Sequence, residues 1–250
     1  MNTLLIEVSG FTFSIKQLLF SGVINGYFCK VILHMGDWKK DIASFHHQFE
    51  AGELNESEMD KDPILQFEKW FAIAMEQKVE EQNSFVLSTA TLTGIPSARV
   101  VLLKSVDANG FIFFTNYESR KGKELEENPF ASMTFYWPTL HRQIRIEGEV
   151  KRVTEQESKE YFHSRPKASQ AGAWVSPQSS PISSRKELEE KHAAFMSKHE
   201  SQEIPAPEHW GGYRILPKHI EFWQGRTNRL HDRLAYTLDK GKWRIYRMAP

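Results

Sequence analysis

The sequence predicts a mainly β protein with flanking helices, an α+β chain built round one β-barrel. Three observations carry this. Between residues 84 and 153, apolar residues recur with period two or in short runs: "SFVLSTA", "SARVVLLK", "GFIFFTN", "ASMTFYW" and "RQIRIEGEVKRV". These runs are rich in β-branched and aromatic residues, and "TGIP", "DANG" and "ENP" separate them, which reads as an antiparallel meander. Five strands within about 70 residues suggest closure into a barrel. With 250 residues, 40% of them hydrophobic and 12% aromatic, the chain can bury a substantial core.

Taken in order, residues 1–34 hold the apolar run "QLLFSGVINGYFC" (17 to 29) between Lys16 and Lys30. It is shorter than the roughly 20 residues a spanning helix needs. As a signal peptide it lacks a basic start, carries Glu7 and Lys16 before the apolar run, and shows no clear cleavage site. Met35, opening the polar "MGDWKKD", is therefore the expected start, and 1–34 are set aside as a doubtful extension. Residues 35–62 are charged without a sustained apolar period, so a mobile N-terminal arm is expected there. Residues 63–250 then form the single folded domain. Asp62 followed by Pro63 is an N-cap with proline at the first helical position, and Phe67, Trp70, Phe71, Ala74 and Met75 follow at helical spacing, to about residue 79. After the five strands come two helical stretches, roughly 155–164 and 184–199, around the loop "SPQSSPISS". "GGYRIL", "HIEFWQ", "RLAYTL" and "KWRIYRM" return to strands.

Composition excludes several function classes. Lys plus Arg and Asp plus Glu number 32 each, so no general field draws nucleic acid or membrane, and any anion site must be local. The single Cys29 excludes an intrachain disulfide framework and fits a reducing, cytoplasmic compartment. Ten histidines form no HExxH or evenly spaced set, so no metal site is expected. The chain has no GxSxG elbow, no GxxxxGK[ST] loop and no GxGxxG after a strand, which disfavours nucleophilic hydrolysis and Rossmann-type binding.

Charge also stands where it is awkward. "SRKGKELEENP" reads as a helix entered at Ser119, with Arg120 and Lys121 in its first turn, where cations oppose the macrodipole by a few tenths to about 1 kcal/mol each. Either a phosphate sits there with Gly122 allowing close approach, or the two side chains reach to water or Glu124. In "SARVVLLK", Arg99 shares a face with Val101 and Leu103, and Lys104 shares the other with Val100 and Leu102, so each cation projects into a site or has a carboxylate partner. At "YFHSRPKASQ", Tyr161 and Arg165 are four apart on one helical face, Pro166 stops the helix, and Ser169 lies in the next turn. That set could grip a phosphate, or Arg165 could simply favour a helix C-terminus. In "RTNRLHDR" (226 to 233), extended backbone would point Arg229, His231 and Arg233 one way, with Asp232 opposite and Arg226 left to solvent. Their mutual repulsion asks for an anion, unless this is a solvated basic edge strand.

These motifs, in this order over about residues 63–250, resemble the pyridoxine (pyridoxamine) 5′-phosphate oxidase family. The stretches are "ARVVLLK", "GFIFFTNYESRKGKELEENPFAS", "RQIRIEGEV", "YFHSRPKASQAGAWVSPQSS", "WGGYR", "EFWQGRTNRLHDR" and the terminal "RMAP". The resemblance implies a split β-barrel homodimer with FMN at the subunit interface. It implies FMN contacts from Arg99, Val100, Val101, Leu102, Leu103, Lys104, Phe114, Thr115, Arg120, Lys121, Gln143, Gln178, Ser179, Trp223 and Arg233. Lys104, Tyr161, Arg165 and Ser169 would hold the substrate phosphate, and Arg229, Leu230 and His231 would surround its pyridine ring. Arg229 and His231 are the implied catalytic pair. The implied reaction is hydride transfer from C4′ of pyridoxine or pyridoxamine 5′-phosphate to flavin N5, then reoxidation by O₂ to give hydrogen peroxide, with ammonia released from the amine. One departure stands out. Where family members often carry an arginine and a tyrosine in an "RREY"-like arm, this chain reads "HHQF" (His46 to Phe49), so Phe49 can cover the site without hydrogen bonding. A flavin reductase of the same barrel type would share FMN but not "YFHSRP" and "RLHDR". A non-catalytic pyridoxal phosphate carrier would consume no oxygen.

Overall fold

A computed structural model of the chain describes residues 5–8, 11–14, 49 and 52–250. The apolar run 17–29, Met35, His46, His47 and most of the expected arm lie outside the described residues. Strands β1 (Leu5–Val8) and β2 (Phe11–Ser14) pair antiparallel within a first compact unit. The second unit spans Gln48–Pro250.

That unit is a curled antiparallel sheet with helices on its surface. Its strands are β3 (Ser84–Ala90), β4 (Pro96–Leu102), β5 (Ser105–Asp107), β6 (Gly110–Asn116), β7 (Phe130–Trp137), β8 (Arg142–Arg152), β9 (Trp210–Gln224), β10 (Asp232–Asp239) and β11 (Lys242–Arg247). The sheet runs β11-β10-β9-β8-β7-β3-β4, and β6 pairs with β5 and with the first half of β9. The simple meander is corrected in one respect. β6 pairs with neither β4 nor β7 but with β9, from Phe111 opposite Ile215 to Asn116 opposite Trp210. The curl closes further where the Lys104 N–H donates to the Ile112 carbonyl at 2.9 Å.

"GGYRIL" and "HIEFWQ" form one strand of 15 residues rather than two. Pro217, which has no N–H to give, lies opposite Gly148, where the β8–β9 register shifts. A Cβ at Gly148 would sit 2.1 Å from the Leu216 carbonyl oxygen, so only glycine allows this approach.

Helix α1 (Pro63–Glu76) starts as its sequence requires, with Asp62 accepting from the Ile64 N–H at 2.8 Å. It buries Ile64, Phe67, Trp70 and Ala74 against the inner face of the sheet. Phe67 packs on Phe111 and Phe135 at 4.9 and 5.3 Å between ring centroids, and Trp70 on Phe222 at 5.1 Å. Burial of each such ring stabilises by about 1.5–3 kcal/mol. Helices α2 (Arg120–Glu127), α3 (Glu155–Ser164), α4 (Lys167–Val175) and α5 (Arg185–Lys198) lie outside the sheet. α4 was not expected from the sequence. Pro166 ends α3 yet also serves as the N-cap of α4, whose backbone it pre-sets. A second, smaller core of Phe162, Ala171, Ile204 and Trp210 ties α3 and α4 to β9. No helix among the described residues is long and apolar enough to cross a membrane.

The end of the stretch expected to be an arm packs on the sheet. Residues 53–56 are held to the body by hydrogen bonds from Arg226 and Arg247, and Leu54 is buried in the main core.

Candidate active site

Three groups of side chains gather on this framework. The first is an aromatic nest beside a half-buried guanidinium. Phe114 on β6 stacks on Tyr161 of α3 at 3.9 Å, and both lie parallel to Trp210 at the start of β9. Arg165, the C-cap of α3, places its guanidinium 4.5 Å over the Trp210 ring, close enough for cation–π attraction. Its Nη2 donates to the Ser169 carbonyl at 2.9 Å, while Nη1 is buried with no hydrogen-bond partner among the described residues. Burial pushes the Arg165 pKa down, the mark of a cation short of an acceptor. A Cβ at Gly212 would come within 2.8 Å of the Phe114 ring, which explains one glycine of "WGGYR".

The second group is a cationic cradle at the start of α2. Ser119 caps the helix, accepting from the Gly122 N–H, as predicted. The Lys121 ammonium donates to Gln178 Oε1 at 2.9 Å, Thr115 Oγ1 at 3.1 Å and Ser119 Oγ at 3.2 Å, all neutral oxygens. Burial first, then the Arg99 charge, push its pKa down to about 8. Arg120 takes the alternative route and pairs with Glu124 at 2.9 Å. Arg99 also turns to Glu124, at 3.4 Å, through hydroxyls of Thr89 and Ser97. Burial pushes Glu124 up, but hydrogen bonds from Ser97, Thr89 and Arg120 hold its carboxyl down to about 2. Gln178, Ser179 and Arg120 line one cavity beside this cradle.

The third group lies on the outer face of the sheet. Register places Gln143 opposite Trp223 and Trp223 opposite Arg233, and the same face carries the exposed side chains of Val100 and Leu102. Of the run Arg99–Leu103, the other side chains turn inward, and Leu103 is buried in the core. Arg233 is fixed by the buried Glu221. His231 lies at the rim of this face, its ring 4.7 Å from Trp223 and 5.5 Å from Phe49.

The expected extended strand across "RTNRLHDR" is corrected. Residues 227–229 form a short 3-10 turn, with Asn228 and Arg229 at φ 56° and 60°, and β10 starts only at Asp232. Asparagine tolerates this left-handed backbone, and that breaks the alternation. Arg229 and Leu230 consequently project from an exposed turn, while His231 and Arg233 keep a common side. Arg226 is not left to solvent, pairing with Asp232 at 3.3 Å and Glu53 at 3.2 Å. Burial and the neighbouring Arg229 charge hold the His231 pKa below the usual imidazole value.

Known proteins resemble this chain over most of its length. The family described as "Pyridoxamine 5′-phosphate oxidase" matches residues 71–196, and the "Pyridoxine 5′-phosphate oxidase C-terminal dimerisation region" matches 210–250. A relative from Nostoc sp. (strain PCC 7120), named pyridoxine/pyridoxamine 5′-phosphate oxidase, is 51% identical over 212 residues, covering 84% of this chain and 99% of the relative. This chain belongs to the pyridoxamine 5′-phosphate oxidase family. A family member from Salinibacter ruber with the same name is 49% identical, again over 84% of this chain and 99% of its own length. Among solved structures, PhzG from Burkholderia lata, in complex with tetrahydrophenazine-1-carboxylic acid, is 32% identical with a TM-score of 0.76, covering 80% of this chain and 99% of that one.

Of the site residues expected from the sequence, the structure brings Phe114, Tyr161, Arg165 and Ser169 together in one group. It joins Thr115, Lys121 and Gln178 in the second, and Gln143, Trp223 and Arg233 in the third. Lys104 joins none of them, lining instead a groove with Phe71, Met75 and Asn83. Sequence reasoning gave no role to Trp210, the floor of the nest. It also missed Glu221, a lone carboxylate two residues before Trp223 in an apolar strand, whose position already asked for a cation.

Proposed function

We propose that the chain oxidises pyridoxine or pyridoxamine 5′-phosphate with O₂ to pyridoxal 5′-phosphate, releasing hydrogen peroxide, and ammonia when the amine is the substrate. The observation that carries the substrate class is the half-buried Arg165 beside Tyr161 and Ser169, whose enclosed Nη1 lacks an acceptor among the described residues. A phosphate there supplies acceptor oxygens in the geometry a guanidinium fork matches. Relatives of nearly 50% identity with this activity in their names support the same reading.

FMN is the proposed cofactor, and the residues fit it. Lys121 makes no ion pair among the described residues, so the flavin phosphate meets an ammonium ringed only by neutral oxygens. When bound, FMN accepts the hydride from substrate C4′ and passes the electrons to O₂. Thr115, Lys121, Gln178 and Ser179 would hold its phosphate end, with Arg99 and Arg120 adding positive field. The backbone of Arg99–Lys104 and the side chains of Gln143, Trp223 and Arg233 would bound the ring system. Around the substrate, Phe114 walls one side of the nest, and Arg165, Tyr161 and Ser169 fix the phosphate. Arg229, Leu230 and His231 then border the pyridine ring, where Arg229 and His231 orient it and assist proton movement at the C4′ substituent.

The proposed active form is a homodimer. The outer sheet face exposes Val86, Val100, Leu102 and Tyr136 side by side, an apolar patch continuous with the proposed flavin face. An oxygen electrode tests the assignment. Pyridoxine 5′-phosphate should drive oxygen uptake where unphosphorylated pyridoxine does so far more weakly. Likeness to PhzG raises a second reading, an aromatic carboxylic acid as substrate, which would show as uptake without need of phosphate.

A further inference from the structure

We propose that Asp232 is a positioning residue for His231: it ties residues 53–56 and the Arg226 end of the turn to the start of β10, fixing the imidazole as the Nε2–H tautomer. The inference rests on the reading above that His231 faces the substrate.

Asp232 is a hub. Its Oδ1 takes Arg247 Nη1 at 2.6 Å, and its Oδ2 takes Arg226 Nη1 at 3.3 Å and the Leu54 N–H at 3.1 Å. Arg247 grips Glu56 bidentately at 2.8 and 2.9 Å and donates to the Leu54 carbonyl at 2.7 Å. Arg226 reaches Glu53 at 3.2 Å. Three carboxylates thus face two guanidiniums, so both cations are fully answered within the chain, with negative charge in excess, and the network's product is a fixed backbone rather than an anion site.

That backbone carries the imidazole. The Arg226 N–H donates to His231 Nδ1 at 3.0 Å. A peptide N–H can only donate, so Nδ1 must accept and the ring proton stands on Nε2. Protonating Nδ1 would set two donors against each other, and burial with the Arg229 charge works in the same direction. The other groups against the ring are the uncharged Trp223 from β9 and Phe49 from the arm, with His141 beyond Phe49 at 5.0 Å. Asn228 and Arg229 hold left-handed backbone in the intervening turn, a conformation that persists only where its surroundings over-determine it. The ties at Arg226 and Asp232 bracket those two residues.

The test uses full-length, FMN-loaded protein. Long-range ¹H–¹⁵N spectra of the imidazoles, with His231 assigned through His231→Gln, should show one Nε2–H tautomer in the parent protein. Asp232→Asn should give a tautomer mixture and move His231 protonation to higher pH. The acid limb of the kcat/KM profile should follow it upward, and kcat should fall on the order of tenfold to a hundredfold with a smaller change in KM. Glu56→Gln should move each readout the same way by less, and it decides the matter if Asp232→Asn does not fold. Lys69→Ala, which breaks an exposed ion pair with Asp60 elsewhere, should move none of them. Unchanged tautomer and protonation in Asp232→Asn or Glu56→Gln would overturn the inference, as would losses that Lys69→Ala reproduces. A parent protein without oxidase activity that still shows the tautomer change overturns the functional reading instead.

Discussion

Arg233 clamps Glu221 across β9 and β10 with two 2.9 Å hydrogen bonds, from Nε and Nη2, while its Nη1 donates to the Ala249 carbonyl at 2.9 Å. The carboxylate is 3% exposed, and its remaining partner is Arg145 at 3.4 Å. Arg233→Met should therefore cost about 3 kcal/mol, since a buried carboxylate loses its main partner. Thermal unfolding with and without FMN would read this. The companion Arg233→Met/Glu221→Met protein should recover stability without recovering flavin affinity. Full flavin occupancy after dilution of that double variant would contradict a role for Arg233 at the cofactor.

Arg165→Met removes a charge-assisted grip on phosphate worth about 1.5–3 kcal/mol. KM for pyridoxine 5′-phosphate should rise about 10- to 100-fold with little change in kcat. Steady-state kinetics check it, and an unaltered KM would place the phosphate elsewhere.

Arg229 is exposed in its turn, so Arg229→Leu should leave the melting temperature and FMN content near those of the parent. Turnover should still fall at least about tenfold, because orientation of the ring is lost. Turnover equal to the parent's would remove Arg229 from the proposed catalytic pair.

Lys121 supplies a pH signature. Its pKa in the folded protein lies at about 8, below its ordinary 10.5, so above pH 8 the flavin-free protein loses the charge that meets phosphate. FMN affinity should decline as pH rises from 7.5 to about 9.5, and Lys121→Met should bind weakly with no such slope. The stability sign is opposite. Between about 8 and 10.5 the unfolded chain holds the extra proton, so this group favours the folded apoprotein as pH rises through that window. Fluorescence titration of FMN into apoprotein across pH measures the first effect, and denaturant unfolding the second.

Much of this arrangement was legible in residue spacing, where the cause was local. Asp62-Pro63, Ser119 and the period-two runs declared α1, α2, β3, β4 and β6 to β8, though not the short β5, because caps and alternation act within a few residues. The awkward cations at Lys121 and Arg165 also stood out, since charge placed against a helix start or before a proline is visible in sequence. What escaped was non-local. The carboxylate that answers Arg99 is Glu124, 25 residues on and in another element. β6 pairs with a strand about 100 residues away, so nothing beside it in sequence announced its neighbour. At 229–233 the alternating "RLHDR" imitated a strand, while Asn228 and Arg229 in left-handed conformation set the real course.

The most direct test is to supply purified protein with FMN, add pyridoxine or pyridoxamine 5′-phosphate under air, and measure aldehyde and hydrogen peroxide together. The account predicts pyridoxal 5′-phosphate and peroxide in equal amounts, with ammonia matching the aldehyde when the amine is used. FMN-loaded protein that forms neither aldehyde nor peroxide from either substrate would contradict it.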